Sequence, residues 1–250
     1  MSGHSKWSTI KRRKGAADAR RGQLFARLIR AIEIAAREGG GDPEANPTLA
    51  DAIQRARDNS VPKDTIERAV KRGSGAMEGA YDAVTYEGYA PGGVAVLVEC
   101  FTDNRNRTAA DVRSIFTRQG GSLADPGSVS YLFDRRGQVL VTRDGVSEDA
   151  LLMAGLDSGL EDVEEQEEEF VAWCDPSQVR ALRRAFEAKG LVVREAGSTM
   201  VPSSTIPVTD RDMARRVMRL LDALDEHADV QEFYSNVEIP DDLIEQLAEE

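Results

Sequence analysis

The sequence predicts an α+β multidomain protein, with an N-terminal three-helix domain followed by two ferredoxin-like α+β domains, one inserted in the other. Three observations lead there. The first 75 residues hold apolar stripes at helical spacing, broken by Gly-rich and Pro-containing stretches. After the GSGAMEG run at Gly73–Gly79 the pattern changes to strands. Between residues 138 and 195 the elements run strand, helix, strand, strand, helix, strand, which is the ferredoxin-like order.

Residues 1–22 lack apolar periodicity and read as a basic arm. From Gln23 to Glu38, Phe25, Leu28, Ile29, Ile32 and Ala36 fall on one helical stripe. Arg27, Arg30 and Arg37 fall opposite, joined by Arg20 if the helix starts early. Gly39-Gly40-Gly41 stops this helix. Asn46-Pro47 reads as N-cap and first residue of a second helix, with Leu49, Ile53 and Ala56 inside. Ser60-Val61-Pro62 opens a third, which buries Ile66, Ala69 and Val70 and ends at Gly73.

Strands over Ala83–Tyr89 and Val94–Phe101 flank a Pro91-Gly92-Gly93 turn. A helix follows with Thr108 as N-cap, then a strand over Ser128–Phe133. The next unit has strands at 138–142, Leu160–Val163, Glu168–Cys174 and Leu191–Glu195. Its helices run over Ser147–Ala154 and from Asp175-Pro176 to Lys189. A strand at Thr205–Val208, a helix over Asp210–Glu226 and a strand at Val230–Val237 complete the chain. The expected domains are 1–75, arm plus bundle; 76–134 with 205–250, a discontinuous α+β domain; and 135–204, the insertion.

Composition narrows the class. The chain has 250 residues, 41% hydrophobic, and 21 glycines, an ordinary globular balance. Its longest apolar run is far short of the ~18 residues of a membrane span. Two cysteines make no disulfide framework, so a cytoplasmic location is expected.

Charge is strongly segregated. Net charge is −12, yet residues 1–30 hold nine basic side chains against the single acid Asp18. Residues 73–250 hold 16 basic and 35 acidic. A polyanion responds to the local field, screened within ~8–10 Å, so it would dock at the front of the chain. Lys6, Lys11, Arg12, Arg13, Lys14, Arg20, Arg21, Arg27 and Arg30 are the candidate phosphate contacts, and Trp7 a candidate for stacking on a base. A second candidate is the TDNRNRT segment, Thr102–Thr108, where Arg105 and Arg107 sit between a strand and a helix. Loop and capping chemistry is the competing reading of that segment.

Catalytic signals are weak. No phosphate-binding GxxxxGK[ST], CxxC or HExxH occurs, and the two histidines, His4 and His227, lie far apart. Ser8 and Lys11 have S-x-x-K spacing but no companion motif. Cys100 and Cys174 read as core residues, and the EEQEEE run at Glu164–Glu169 as a solvated strand edge. The sequence therefore predicts no enzyme, no cofactor, no metal, no small-molecule substrate and no membrane partner. It leaves the oligomeric state open.

Several segments together resemble the YebC/PmpR family. They are GHSKW-x-x-I-K (Gly3–Lys11), RG-x-x-F-x-x-LIR (Arg21–Arg30), AAREGG-x-DP-x-x-NP (Ala35–Pro47), VPKD (Val61–Asp64), YEGY-x-PGGVAV (Tyr86–Val96) and TDNRNRT. The similarity spans nearly the whole chain and is weakest from about Gly137 to Ser204. The resemblance implies three domains with a helical first one, and a GHSKW opening that belongs at Met1. It also implies a DNA-binding transcriptional regulator, or alternatively a translation factor that binds ribosomal RNA, as mitochondrial and some bacterial relatives are described. Arm residues Lys6, Lys11, Arg12, Arg13 and Lys14 would then touch nucleic acid. Ala26 stands where Thr is common and Arg12 where His is common, which leaves the charge logic intact.

Overall fold

The computed structural model describes residues 17–75 and 81–248. It is α+β, with N-terminal helices followed by two sheet-containing domains. The helices are α1 (Ala17–Gly39), α2 (Pro47–Asp58), α3 (Lys63–Ser74), α4 (Arg105–Arg118), α5 (Glu148–Gly155), α6 (Val179–Ala188), α7 (Arg211–Glu226) and α8 (Asp241–Ala248). The strands are β1 (Asp82–Ala90), β2 (Val94–Thr102), β3 (Ser122–Ala124), β4 (Phe133–Thr142), β5 (Leu160–Glu165), β6 (Glu169–Cys174), β7 (Val193–Pro202), β8 (Ile206–Pro207), β9 (Val230–Ser235) and β10 (Val237–Glu238). The described residues form two compact units, 17–27 with 81–134 and 201–248, and 28–75 with 135–200.

The first unit is built on the order β3-β1-β2-β9, with antiparallel neighbours. Its centre is the β1–β2 hairpin, in register from Asp82↔Thr102 to Ala90↔Val94. Gly92 and Gly93 close it at φ +81° and +76°, a region that a side chain disfavours. Val94, Val96, Val98 and Cys100 recur at period two in the core, against Val112 and Phe116 of α4 and Leu220, Leu221 and Leu224 of α7. The sequence reading has no counterpart of α8, whose Leu243, Ile244 and Leu247 complete this core.

Two local features of the first unit differ from expectation. The strand expected over Ser128–Phe133 is not formed: the short strand β3 at Ser122–Ala124 pairs with β1 before it, and a 3-10 turn occupies Ser130–Leu132. Glu87 on β1 explains the difference. Its buried carboxylate accepts the amides of Gly127 at 2.8 Å, Val129 at 2.6 Å and Ser130 at 3.0 Å, so these donors are not available to a ladder. The N-cap of α4 is Asn104, whose side chain accepts from the Arg107 amide at 3.1 Å. Thr108 lies a turn further on, fully buried.

The second unit contains a sheet ordered β5-β6-β4-β7. Its first and third strands are central, and α5 and α6 make the crossovers, so the insertion has ferredoxin-like connectivity. Val139, Val141, Phe170 and Ala172 meet Leu151, Leu182 and Phe186 in its core. Glu164 and Glu165 end the edge strand β5, whereas Glu169 is buried and paired with Arg194 at 2.8 Å.

The helical segment of this unit is tied by its caps. Buried Asn46 accepts the Leu49 amide at 3.1 Å as N-cap of α2. It also donates to the carbonyls of Ala35 at 2.7 Å and Gly40 at 2.9 Å, closing the end of α1. A Cβ on Gly73 of α3 would strike the Glu33 carbonyl and Ala36, so the glycine permits close approach to α1. Arginines of α6 join the bundle to the inserted sheet. Arg183 forks onto Asp58 at 2.7 and 2.9 Å, and Arg180 meets Asp51 at 2.6 Å.

The two pairs differ in solvent access, and so in energy. The Arg183 and Asp58 side chains are 15% and 8% exposed. Asp58→Ala strands a poorly solvated guanidinium and should lower stability by ~3 kcal/mol in urea unfolding. Asp51→Ala, in a pair that is about half exposed, should cost less than ~1 kcal/mol. Equal losses would contradict this division.

Candidate nucleic-acid interface

Of the candidate contacts, Lys6, Trp7, Lys11, Arg12, Arg13 and Lys14 lie outside the described residues. Helix α1 begins at Ala17, earlier than the periodicity alone suggests, so Arg20 and Arg21 belong to its first turns. Arg27 points into the first unit. Its Nη1 donates to Asp225 Oδ1 at 2.8 Å, and its Nη2 to the Asp225 carbonyl near the end of α7. Gln231 on β9 returns a bond from Nε2 to the Arg27 carbonyl at 3.0 Å. The paired side chains are only 19% and 15% exposed, so Arg27 anchors the helix to the body of its unit. Arg30 is half-buried on α1.

The excess of cations ends with that anchor. Residues 1–27 hold eight basic side chains and one acid, while residues 28–76 hold eight of each. Residues 28–76 as a whole therefore add structure but no net charge.

The TDNRNRT segment is organised around an acid 120 residues away. Asp229 is 6% exposed. Its Oδ2 accepts from Arg107 Nη2 at 2.7 Å and from the Thr108 hydroxyl at 2.7 Å. Thr108 is also 2.7 Å from the Thr102 hydroxyl, and Arg107 reaches Asp103 at 2.9 Å. Arg105 remains exposed, paired with Asp82 at 3.4 Å. Both arginines thus face carboxylates, and capping by Asn104 together with the Asp229 cluster accounts for the segment's composition.

Electrostatics agree with the bonding. Burial would raise the Asp229 carboxyl, but the Arg107 and Thr108 hydrogen bonds and the charges of Arg107 and His227 hold it below its ordinary value. Glu87 has the same balance: burial raises it, and the loop amides with the Ser130 hydroxyl bring it below normal. Burial pushes the Cys100 thiol up to about 12 and the Cys174 thiol to about 11, so both are protonated core groups at neutral pH. No group of three potential metal ligands and no membrane-length apolar helix occurs among the described residues.

Asp225, Asp229 and Glu87 escaped the sequence reading. Each is a lone acid at an element's end or inside a strand, and its partners lie tens to hundreds of positions away. The motif YEGY held the only local hint, for Glu87.

Asp229 also sets an acid dependence. A carboxyl depressed on folding adds stability above its ordinary value of 3.8, and that stability disappears as pH falls through the depressed folded value. The melting-temperature gap between the parent protein and Asp229→Asn should be full at neutral pH and should shrink as pH falls below 3.8. A gap that does not change with pH would contradict the assignment.

Comparison with known proteins places this architecture. Residues 5–76 match the family described as "TACO1/YebC protein N-terminal domain", and residues 81–237 match "TACO1/YebC second and third domain". A protein of Thermobifida fusca is 54% identical over 250 residues, covering 99% of this chain and 100% of the relative. One from Beutenbergia cavernae is 56% identical over 253 residues, covering 100% of both. Each bears the name "Probable transcriptional regulatory protein". The crystal structure of a conserved hypothetical protein from Aquifex aeolicus superposes with a TM-score of 0.83 at 45% identity, covering 90% of this chain and 93% of that one. Family matches across both halves, full-length relatives and a shared fold agree: the chain belongs to the TACO1/YebC family.

Proposed function

We propose that this protein is a non-enzymatic regulator that binds DNA upstream of its target genes through the basic N-terminal segment. The observation that carries the reading is the charge segregation. Eight cations and one acid occupy residues 1–27, ahead of a strongly acidic remainder. A phosphate backbone is attracted to the first and repelled by the second. The regulator names of the full-length relatives favour the same reading.

In this reading Lys6, Lys11, Arg12, Arg13, Lys14, Arg20, Arg21 and Arg30 contact phosphates, and Trp7 stacks on or beside a base. Arg27 serves differently: its bond to Asp225 fixes the helix from which the other cations are presented. Phosphate contacts position the protein without reading sequence, so specificity requires base or shape readout in addition.

Neutralising Lys11, Arg12, Arg13 and Lys14 together to Gln should reduce the steepness of log affinity against log salt by about 3–4. An unchanged slope would place the contact elsewhere. A regulator should also prefer its own sites over random duplex by ~10³ or more at physiological salt. A ratio near one, with RNase-sensitive co-sedimentation with ribosomes, would instead support the ribosomal RNA reading.

A further inference from the structure

The solvent face shared by α4 and α7 in the first unit has a charge pattern that helix stability does not explain. The two helices pack side by side and run antiparallel. His227, after the end of α7, meets Asp111 in the first half of α4 at 3.4 Å, and the Gly120 that follows α4 lies against Arg216 in the first half of α7. One end of this helix pair is therefore ringed by Asp111, His227, Arg107 and Asp229. The other end gathers Arg118 of α4 with Arg216 and Arg219 of α7, all three exposed. Arg216 donates Nε to the Asp212 carbonyl at 3.4 Å. Among the described residues none of the three has a carboxylate partner.

Charge along α7 runs against the helix dipole at its C-terminal end. Arg211, Arg215, Arg216 and Arg219 occupy the first nine residues, with Asp212 the acid among them. Asp222, Asp225 and Glu226 occupy the last five, and the final turn has no basic residue. A helix N-terminus favours anions, which Asp210 as N-cap and Asp212 supply, whereas a C-terminus favours cations, so it is the acids of the last turns that oppose folding. Asp225 has a purpose at its end, since it holds Arg27. At the opposite end Arg215 pairs with Asp212 at 3.0 Å, whereas Arg216 and Arg219 have no carboxylate partner among the described residues.

We propose that Arg118, Arg216 and Arg219 form a second phosphate-docking face, which engages the backbone of the DNA duplex bound by the basic arm. The proposal rests on the DNA reading above and adds a contact surface outside the N-terminal segment. A guanidinium without a carboxylate offers five donors in a planar fork that matches phosphate oxygens. Asp225, where α1 is anchored, lies six residues from Arg219 and nine from Arg216, about 9 and 14 Å along the helix axis. At 3.6 residues per turn the two arginines also lie about 120° and 180° around α7 from Asp225, so one duplex meets both the anchored helix and the arginine face only by bending around the helix pair. The acids of the last turns confine the face to the first half of α7.

The test is a salt titration of the full chain on a mixed-sequence duplex of about 30 base pairs, read by fluorescence anisotropy from about 50 to 200 mM salt. Four proteins are compared: the parent; Arg118→Gln/Arg216→Gln/Arg219→Gln; the corresponding triple Lys variant; and the arm variant neutralised at Lys11, Arg12, Arg13 and Lys14. The triple Gln variant should lose roughly tenfold or more in affinity and about 2–3 in slope, while the triple Lys variant keeps the slope. Unchanged melting temperatures separate this loss from misfolding. A triple Gln variant with the parent's slope, beside an arm variant whose slope collapses, overturns the second face and leaves the DNA reading standing. No duplex binding by the parent overturns both. Stronger dependence on the three arginines for a single-stranded RNA of equal length overturns the assignment to DNA.

Discussion

Eight cations within 27 residues repel one another and are attracted by the acidic bulk of the same chain. To serve as a docking surface they must be held at one place and presented outward. The contact between Arg27 and Asp225 fixes the last of them to its unit. It spends one cation of the cluster on an internal ion pair, reinforced by the Asp225 carbonyl and by Gln231. The helix carrying Arg20 and Arg21 is thereby fixed to a packed α+β unit, and preorganisation lowers the ordering cost that a free basic tail would meet on binding. The second candidate segment shows how the same chemistry is turned inward. Arg107 is spent on Asp229 and Asp103, and the result is a rigid β2–α4 junction.

Local pattern explains how much of this could be read beforehand. The hairpin around Pro91-Gly92-Gly93, the cap at Asn46 and the inserted sheet's order all follow from short-range signals: turn residues, caps and period. Asn46 was legible as an N-cap, yet its equally important bonds to Ala35 and Gly40 depend on the chain folding back. The strand expected over Ser128–Phe133 failed because a distant carboxylate, Glu87, claims its amides. Helix α8 is short and acidic in its first turn, and only its packing on the first unit's core gives its apolar residues a role. At the candidate interface the cations were plain in the sequence, but the use of Arg27 as an anchor and of Arg105 and Arg107 in ion pairs was not. That use depends on Asp225, Asp229 and Asp82, each far from its partner or unmarked by any motif.

Helix α7 carries acids in its last turns, where the helix dipole disfavours them. Terminal charges opposed to the dipole cost ~0.3–1 kcal/mol each. Six largely buried apolar positions, Ala214, Val217, Met218, Leu220, Leu221 and Leu224, let the helix tolerate it. The same helix therefore contributes core on one side, an anchor for α1 near its end and an arginine-rich surface near its start. Three functions on one element make its surface charges informative about binding.

The central claim is that a nucleic-acid backbone lies along the cation-bearing front of the chain and avoids its acidic lobes. Photo-crosslinking of the full chain to duplex DNA, with the attached peptides mapped by mass spectrometry, tests it most directly. The account predicts crosslinks within residues 1–30 and around Arg118, Arg216 and Arg219. Crosslinks concentrated on the acidic surface between Glu148 and Glu169, with the N-terminal segment unmodified, would contradict it.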